Sequence, residues 1–212
     1  LVIGGRDASS NSAVIRKHMT EDDIVFHAEI HGSPFFLIKN ARNQVNENTN
    51  LIEETAQATV SFSRAWKDGL SSGDAYWVFP NQVKKGAPTG QFLPKGSFVI
   101  EGKRNFCKGI ELKLSIGLVK IENRYTIVSG PLNAIKKRSL VFASLLPGGS
   151  DPMNLAKKIK SEFVRVISEF DSDLADYLKK VLLDDFIRML PTGQSKIEHI
   201  ERGQSVNDVK IG

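Results

Sequence analysis

The chain has 212 residues, 41% hydrophobic and 25% charged, enough to bury a real core, so one globular domain with an appendage is expected rather than a disordered chain. Its longest apolar runs, such as LVFA at 140–143, fall far short of the roughly 20 residues that a membrane-spanning helix needs. Cys107 is the single cysteine, so an internal disulfide and a multi-cysteine zinc site are both excluded, which suits a reducing compartment.

The chain opens at Leu1, inside a strand-like LVIGG without an initiator methionine or a leader, and is expected to be the C-terminal piece of a longer protein. LVIG at 1–4 reads as a short strand, and Gly4-Gly5 permits a tight turn, carrying Arg6 and Asp7, into a helix near 9–19. IVFHAEIH at 24–31 and FFLIK at 35–39 read as strands joined through Gly32-Ser33-Pro34. A long helix should follow, capped by Asn50 with Glu53 completing a capping box. Its face is Leu51, Thr55, Ala58, Phe62 and Trp66, and Gly69 ends it. Strands are expected near 75–79, 97–101, 111–121 and 125–129, the last two turning at Asn123-Arg124.

After Pro131 the pattern changes. A strand at 139–145 stops at Pro147-Gly148-Gly149, and Asp151-Pro152 starts a helix with the stripe Leu155, Ile159, Phe163, Val166, Phe170. A second helix, Leu174 to Leu190, should turn Tyr177, Leu178, Val181, Leu182, Phe186 and Leu190 inward, and the last ten residues should be loosely held. The fold class is α+β: a mixed, largely antiparallel sheet with a long packed helix, followed by a C-terminal helical pair. The expected division is 1–130 and 131–212, the second part packed on the first.

Between residues 84 and 108, Lys84, Lys85, Lys95, Lys103, Arg104 and Lys108 face one acid, Glu101. That net of +5 equals the charge of the whole chain, and the remaining residues balance at 23 bases and 23 acids. One basic segment on a balanced body points to an anionic partner, the alternative being lysines on solvated loops. From 151 onward 10 bases meet 11 acids, so the C-terminal helices are not expected to contact a polyanion.

Within the basic segment, Gly102 lets the backbone approach a ligand while Lys103, Arg104 and Asn105 reach outward, which suits phosphate and ribose. Lys84-Lys85 with Gly86 and Thr89-Gly90 forms a second cationic loop. In GGRD, backbone NH groups before a helix with Arg6 could meet a phosphate, or Arg6 could pair with Asp7. Alternation should put Trp77 and Phe79 on the core face and leave Tyr76 for stacking on a base. It should also align His27, Glu29 and His31 on one strand face, with Phe26, Ala28 and Ile30 in the core. Those three could hold a divalent metal, as in a nuclease, or form a polar cluster with Asp7 and Arg64; the cluster is expected, with no metal and no cofactor. Arg64 beside Trp66 could be structural. GxxxxxGKR at 96–104 is one residue too long for a phosphate loop and has Arg104 where a Ser or Thr is required. Cys107, beside a core phenylalanine, should be inert.

Five blocks in chain order carry a family resemblance: GGRDASSN at 4–11, DIVFHAEIHGSPFFLIKN at 23–40, SFSRAW at 61–66, YWVFPNQVKKGAPTGQFLPKGSFVIEGKRNF at 76–106, and the glycine-containing strand ending near Leu118. They resemble the RNA-binding domain of the NFACT family, the RqcH- and NEMF-like ribosome quality-control factors. The family usually has a serine where this chain has Lys84 and an acid near Gln91, so the departures add positive charge. The resemblance implies a non-enzymatic, cytoplasmic, ribosome-associated protein that binds tRNA and the large subunit during rescue of stalled translation and C-terminal tailing. It also implies NFACT and coiled-coil regions before Leu1. Arg6, Lys84, Lys85, Lys95, Lys103, Arg104, Asn105 and Lys108 are its candidate RNA contacts. Relatives have also carried a fibronectin-binding label, which makes an adhesin the competing class.

Overall fold

A computed structural model of the chain describes residues 1–45, 47, 49–86 and 94–205, in two compact units. The first comprises Leu1–Ala65 and Ser72–Glu111, the second Trp66–Ser71 and Leu112 onward. The division thus falls at 111 and 112, not at the expected 130, because the strands after Leu112 pair with later ones. The fold is α+β, and among the described residues every strand pairing is antiparallel.

In the first unit, β1 (Val2–Gly4), β2 (Ile24–Ala28), β3 (Phe36–Ile38), β4 (Ser72–Val78) and β7 (Asn105–Glu111) form a sheet in the order β1-β3-β2-β4-β7. A separately paired ribbon of β5 (Val83–Lys84) and β6 (Val99–Ile100) packs Val83 and Ile100 against the core of that sheet. Helix α1 (Ala8–Ala13) continues through a π-helical turn, Val14–His18. It closes one sheet face around Val14, Ile15, Val25, Phe35, Leu37, Tyr76, Val78 and Val83. Helix α2 (Thr49–Ser61) covers the other face, where Phe62 stacks on Phe36 with centroids 6.3 Å apart. Because both faces are covered, strand alternation does not separate core from solvent in this sheet.

The long helix expected to reach Gly69 breaks after Ser61, and Asn50 lies inside it rather than capping it. The Thr55 and Thr59 hydroxyls each donate to a carbonyl four residues back at 2.7 Å, and Ser63 Oγ donates to Val60 O while accepting from Ala65 N–H. Such back-bonding competes with the helical ladder. A short helix, α3 (Arg64–Lys67), follows and ends at Gly69, whose φ of +71° suits glycine.

In the second unit, β8 (Leu114–Ile121), β9 (Arg124–Gly130), β10 (Ser139–Ser150) and β11 (Ser195–Arg202) pair in the order β11-β10-β8-β9. β10 runs through Pro147-Gly148-Gly149 as a bulge instead of stopping there. The β8–β9 turn is Glu122-Asn123, not Asn123-Arg124, with Glu122 at φ 53°. Helix α4 (Leu132–Arg138), which periodicity did not announce, lies over Gly117, where a Cβ would come 2.7 Å from Ile135.

Helix α5 (Pro152–Ser168) starts at the Asp151 cap as expected and buries Leu155, Ile159, Phe163 and Val166. The second expected helix is split at Val181 into α6 (Ser172–Lys180) and α7 (Leu183–Ile187). Tyr177 and Leu182, expected inward, are exposed.

Trp66 is buried and its indole N–H donates to Ser195 Oγ at 2.9 Å. Trp66→Phe removes the donor while keeping an aromatic, and should cost about 1–3 kcal/mol in urea unfolding. An unchanged midpoint would show that this bond contributes nothing.

Candidate functional site

β7 is an edge strand of the first sheet, and its register on β4 decides where the basic segment points. Tyr76 lies opposite Phe106 and Ala75 opposite Cys107, and the register then shifts by a bulge. Asp74 Oδ1 accepts the Gly109 N–H at 2.8 Å, and Gly109 adopts φ 64°. The bulge is fixed by a carboxylate and by a residue that tolerates that angle.

Alternation along β7 then places Arg104, Phe106 and Lys108 on one face. Phe106 is 45% exposed, with Lys108 Nζ 5.8 Å from its ring centroid and Tyr76 edge-on at 5.8 Å. The expected exposed aromatic, Tyr76, is instead 4% exposed, and Arg104 covers its ring at 4.6 Å. The stacking candidate therefore moves from Tyr76 to Phe106, which sequence reasoning had placed in the core. Trp77 is half-buried and edge-on to Phe79, over whose ring Arg42 lies at 4.7 Å. Cys107 is half-buried, and burial pushes its thiol up, away from reactivity.

The loop before β7 is held by Gln82. Its side-chain amide donates to the Glu101 carbonyl at 2.8 Å and the Lys103 carbonyl at 2.9 Å, and its backbone carbonyl accepts the Glu101 N–H. Gly102 between them has φ 78°. Lys103 is exposed at the outer side of this clamp. Asn105 does not reach outward as expected: its amide donates back to Trp77 O at 3.3 Å. Arg104 is tied to Glu29 at 2.8 Å, and Lys84 to Glu101 at 3.4 Å. Lys85, Lys95, Lys103 and Lys108 are exposed and have no carboxylate partner among the described residues. Thr89 and Gly90, and the departure at Gln91, lie outside the described residues.

The GGRD turn does not offer its amides to a ligand. Gly5 N–H donates to Phe35 O, and the Arg6 and Asp7 N–H groups both donate to Ser10 Oγ. The Asp7 carboxylate accepts the Ser10 N–H and caps α1, and these bonds hold its pKa below the usual range. The Arg6 side chain is exposed. It lines a cleft of about 540 Å³ with Asn11, His27, His31, Lys95 and Phe98.

His27, Glu29 and His31 do not share a strand face, because β2 ends at Ala28. Glu29 is turned to Arg104, His31 is exposed beside Gly32, and Arg64 is exposed at the start of α3. No group of three or more His, Cys, Asp or Glu among the described residues is placed to hold a metal ion. His27 packs on Phe35 at 4.5 Å with Nδ1 3.4 Å from Tyr76 Oη, so it belongs to the core beneath the cleft. Burial, aided by the Arg104 charge, lowers its pKa from 6.5 to about 4.

A histidine whose folded pKa lies below its unfolded value contributes stability above pH 6.5, and this is lost as pH falls toward 4. Accordingly, melting temperature should drop less between pH 7 and pH 5 in His27→Phe than in the wild type, a range taken from the free and shifted values. Equal drops would remove His27 from the acid response.

Residues 1–102 match the family described as the NFACT protein RNA binding domain. Over 197 residues, 93% of this chain, it is 36% identical to an archaeal Rqc2 homolog from Methanocaldococcus jannaschii, spanning 27% of that protein. Over 98% of the chain it is 33% identical to the Drosophila melanogaster homolog of the ribosome quality control complex subunit NEMF, spanning 20% of it. The human NEMF subunit is 41% identical over 106 residues, half of this chain and 10% of the human protein. The chain thus spans about a quarter or less of these relatives.

Proposed function

The chain belongs to the NFACT family, and from that premise we propose that its first unit is the RNA-contact module of a ribosome quality-control factor. The observation that carries this reading is the face of β7, where exposed Phe106 is flanked by Lys108 and Arg104, with Lys103 clamped beside it. Cations supply sequence-independent attraction to phosphate, and an exposed aromatic between them gives an unpaired base a surface to stack on. Arg104, paired with Glu29 and laid over Tyr76, mainly holds this face in place. Lys103 and Lys108 are the phosphate contacts, while Lys85, Lys95 and Arg6 extend the basic surface.

The partners in this reading are tRNA and the large ribosomal subunit, met in the cytoplasm during rescue of stalled translation. The chain positions RNA and performs no bond-making step, and C-terminal tailing uses the ribosome's own peptidyl transfer. Structured RNA with unpaired bases is preferred over duplex DNA because the bases must be accessible to Phe106.

A salt titration of tRNA binding separates the two kinds of contact. Lys103→Ala with Lys108→Ala should make the log–log salt slope shallower by about 1–2, since each lost phosphate contact retains its counterions. Phe106→Ala should leave the slope unchanged and cost about 1–3 kcal/mol of affinity. Duplex DNA that competes as well as tRNA would overturn the preference for RNA.

A further inference from the structure

Residues 112–150 hold six bases, Lys113, Lys120, Arg124, Lys136, Lys137 and Arg138, against one acid, Glu122. This net of +5 matches that of 84–108 but lies in the second unit. Some of these cations have work within the fold: Lys113 pairs with Glu198 at 2.6 Å, Lys136 approaches Glu201 at 3.9 Å, and Lys120 lies over the Tyr125 ring. Arg124, Lys137 and Arg138 are exposed and have no carboxylate partner among the described residues.

The sheet register brings these three to one end of one face. Arg124 is opposite Ile121, so it shares the sheet face of Val119 and Gly117, the face that α4 covers. Ser139, which directly follows Arg138, is opposite Val119. Val119 is two residues from Ile121, roughly 7 Å along the strand. Ile121 is 44% exposed at the same hairpin tip.

Cations in a helix's last turn ordinarily serve its free carbonyls. Here backbone donors from outside the helix take two of the carbonyls at this end: Gln204 N–H donates to Lys136 O and Ser205 N–H to Ser139 O.

We propose that Arg124, Lys137 and Arg138 form a second phosphate-contacting surface, with which the second unit binds RNA independently of β7. The inference rests on the RNA-binding reading of the first unit for its choice of polyanion. A guanidinium pair suits phosphate through bidentate geometry, and an RNA long enough to meet both surfaces gains avidity from the second. The near-neutral charge of residues 151 onward leaves this end as the basic surface of the unit.

The test is tRNA binding by the 212-residue chain across a salt series, with folding checked by circular dichroism. Lys137→Ala with Arg138→Ala should make the log–log slope shallower by about 1–2, and adding Arg124→Ala should remove about one more. Lys157→Ala with Lys158→Ala removes the same charge from exposed positions of α5 and should leave the slope as in the wild type. Equal shifts in the two doubles, or no shift in the first, would overturn the surface. If only the Lys103 and Lys108 variant loses slope, this proposal fails and the first-unit reading stands. If only the Lys137 and Arg138 variant does, this surface stands and the β7 site falls. A wild-type chain that does not bind tRNA overturns both.

Discussion

The register of β7 on β4 is the constraint from which the first-unit surface follows. Side chains alternate along a strand, so a slip of one residue would turn Arg104, Phe106 and Lys108 to the face covered by α2 and bring Cys107 outward. Two bonds from β4 and its neighbour hold the register: Asp74 takes the Gly109 amide at the bulge, and Asn105 reaches the Trp77 carbonyl. A third element, Gln82, fixes the approach to the strand by binding two carbonyls on either side of Gly102. Polar side chains spent on the backbone thus set the position of the lysines that face solvent.

The cations of the basic segment divide into two groups. Lys84 and Arg104 are paired with carboxylates, and Arg104 also covers a buried ring, so they stabilise the local arrangement. Lys85, Lys95, Lys103 and Lys108 hold no such partner among the described residues and are exposed to solvent. Arg16, outside the segment, is engaged without a carboxylate, donating to the Lys85 backbone carbonyl while lying over Phe98. Surface ion pairs of this kind contribute little stability, about 0–1 kcal/mol, so their role is placement.

Local chemistry made several elements legible: the turn at Gly4-Gly5, the Asp151 cap, and the apolar stripe of α5 all depend on a few adjacent residues. What failed depends on partners distant in sequence. Tyr76, expected outward, is buried because both faces of the sheet are covered, which strips alternation of its solvent signal. Pro147-Gly148-Gly149 reads as a stop, yet pairing with β11 carries β10 through it. The seven-residue α4 is too short for periodicity. The candidate residues of the first unit were mostly visible as charge, whereas Phe106 was not, since exposure is a property of its edge position. The second basic stretch was hidden by arithmetic: 1–83 holds seven bases and ten acids, and with Glu111 and the slightly acidic C-terminal part it offsets those six bases and one acid.

Direct photocrosslinking of the chain to bound RNA, followed by mass spectrometric mapping of the modified peptides, tests the central claim most directly. A base stacked on Phe106 should give its main adduct on that residue, and Phe106→Leu should abolish that adduct while other crosslinks persist. Adducts confined to the helices after Asp151, with none on β7, would contradict the account.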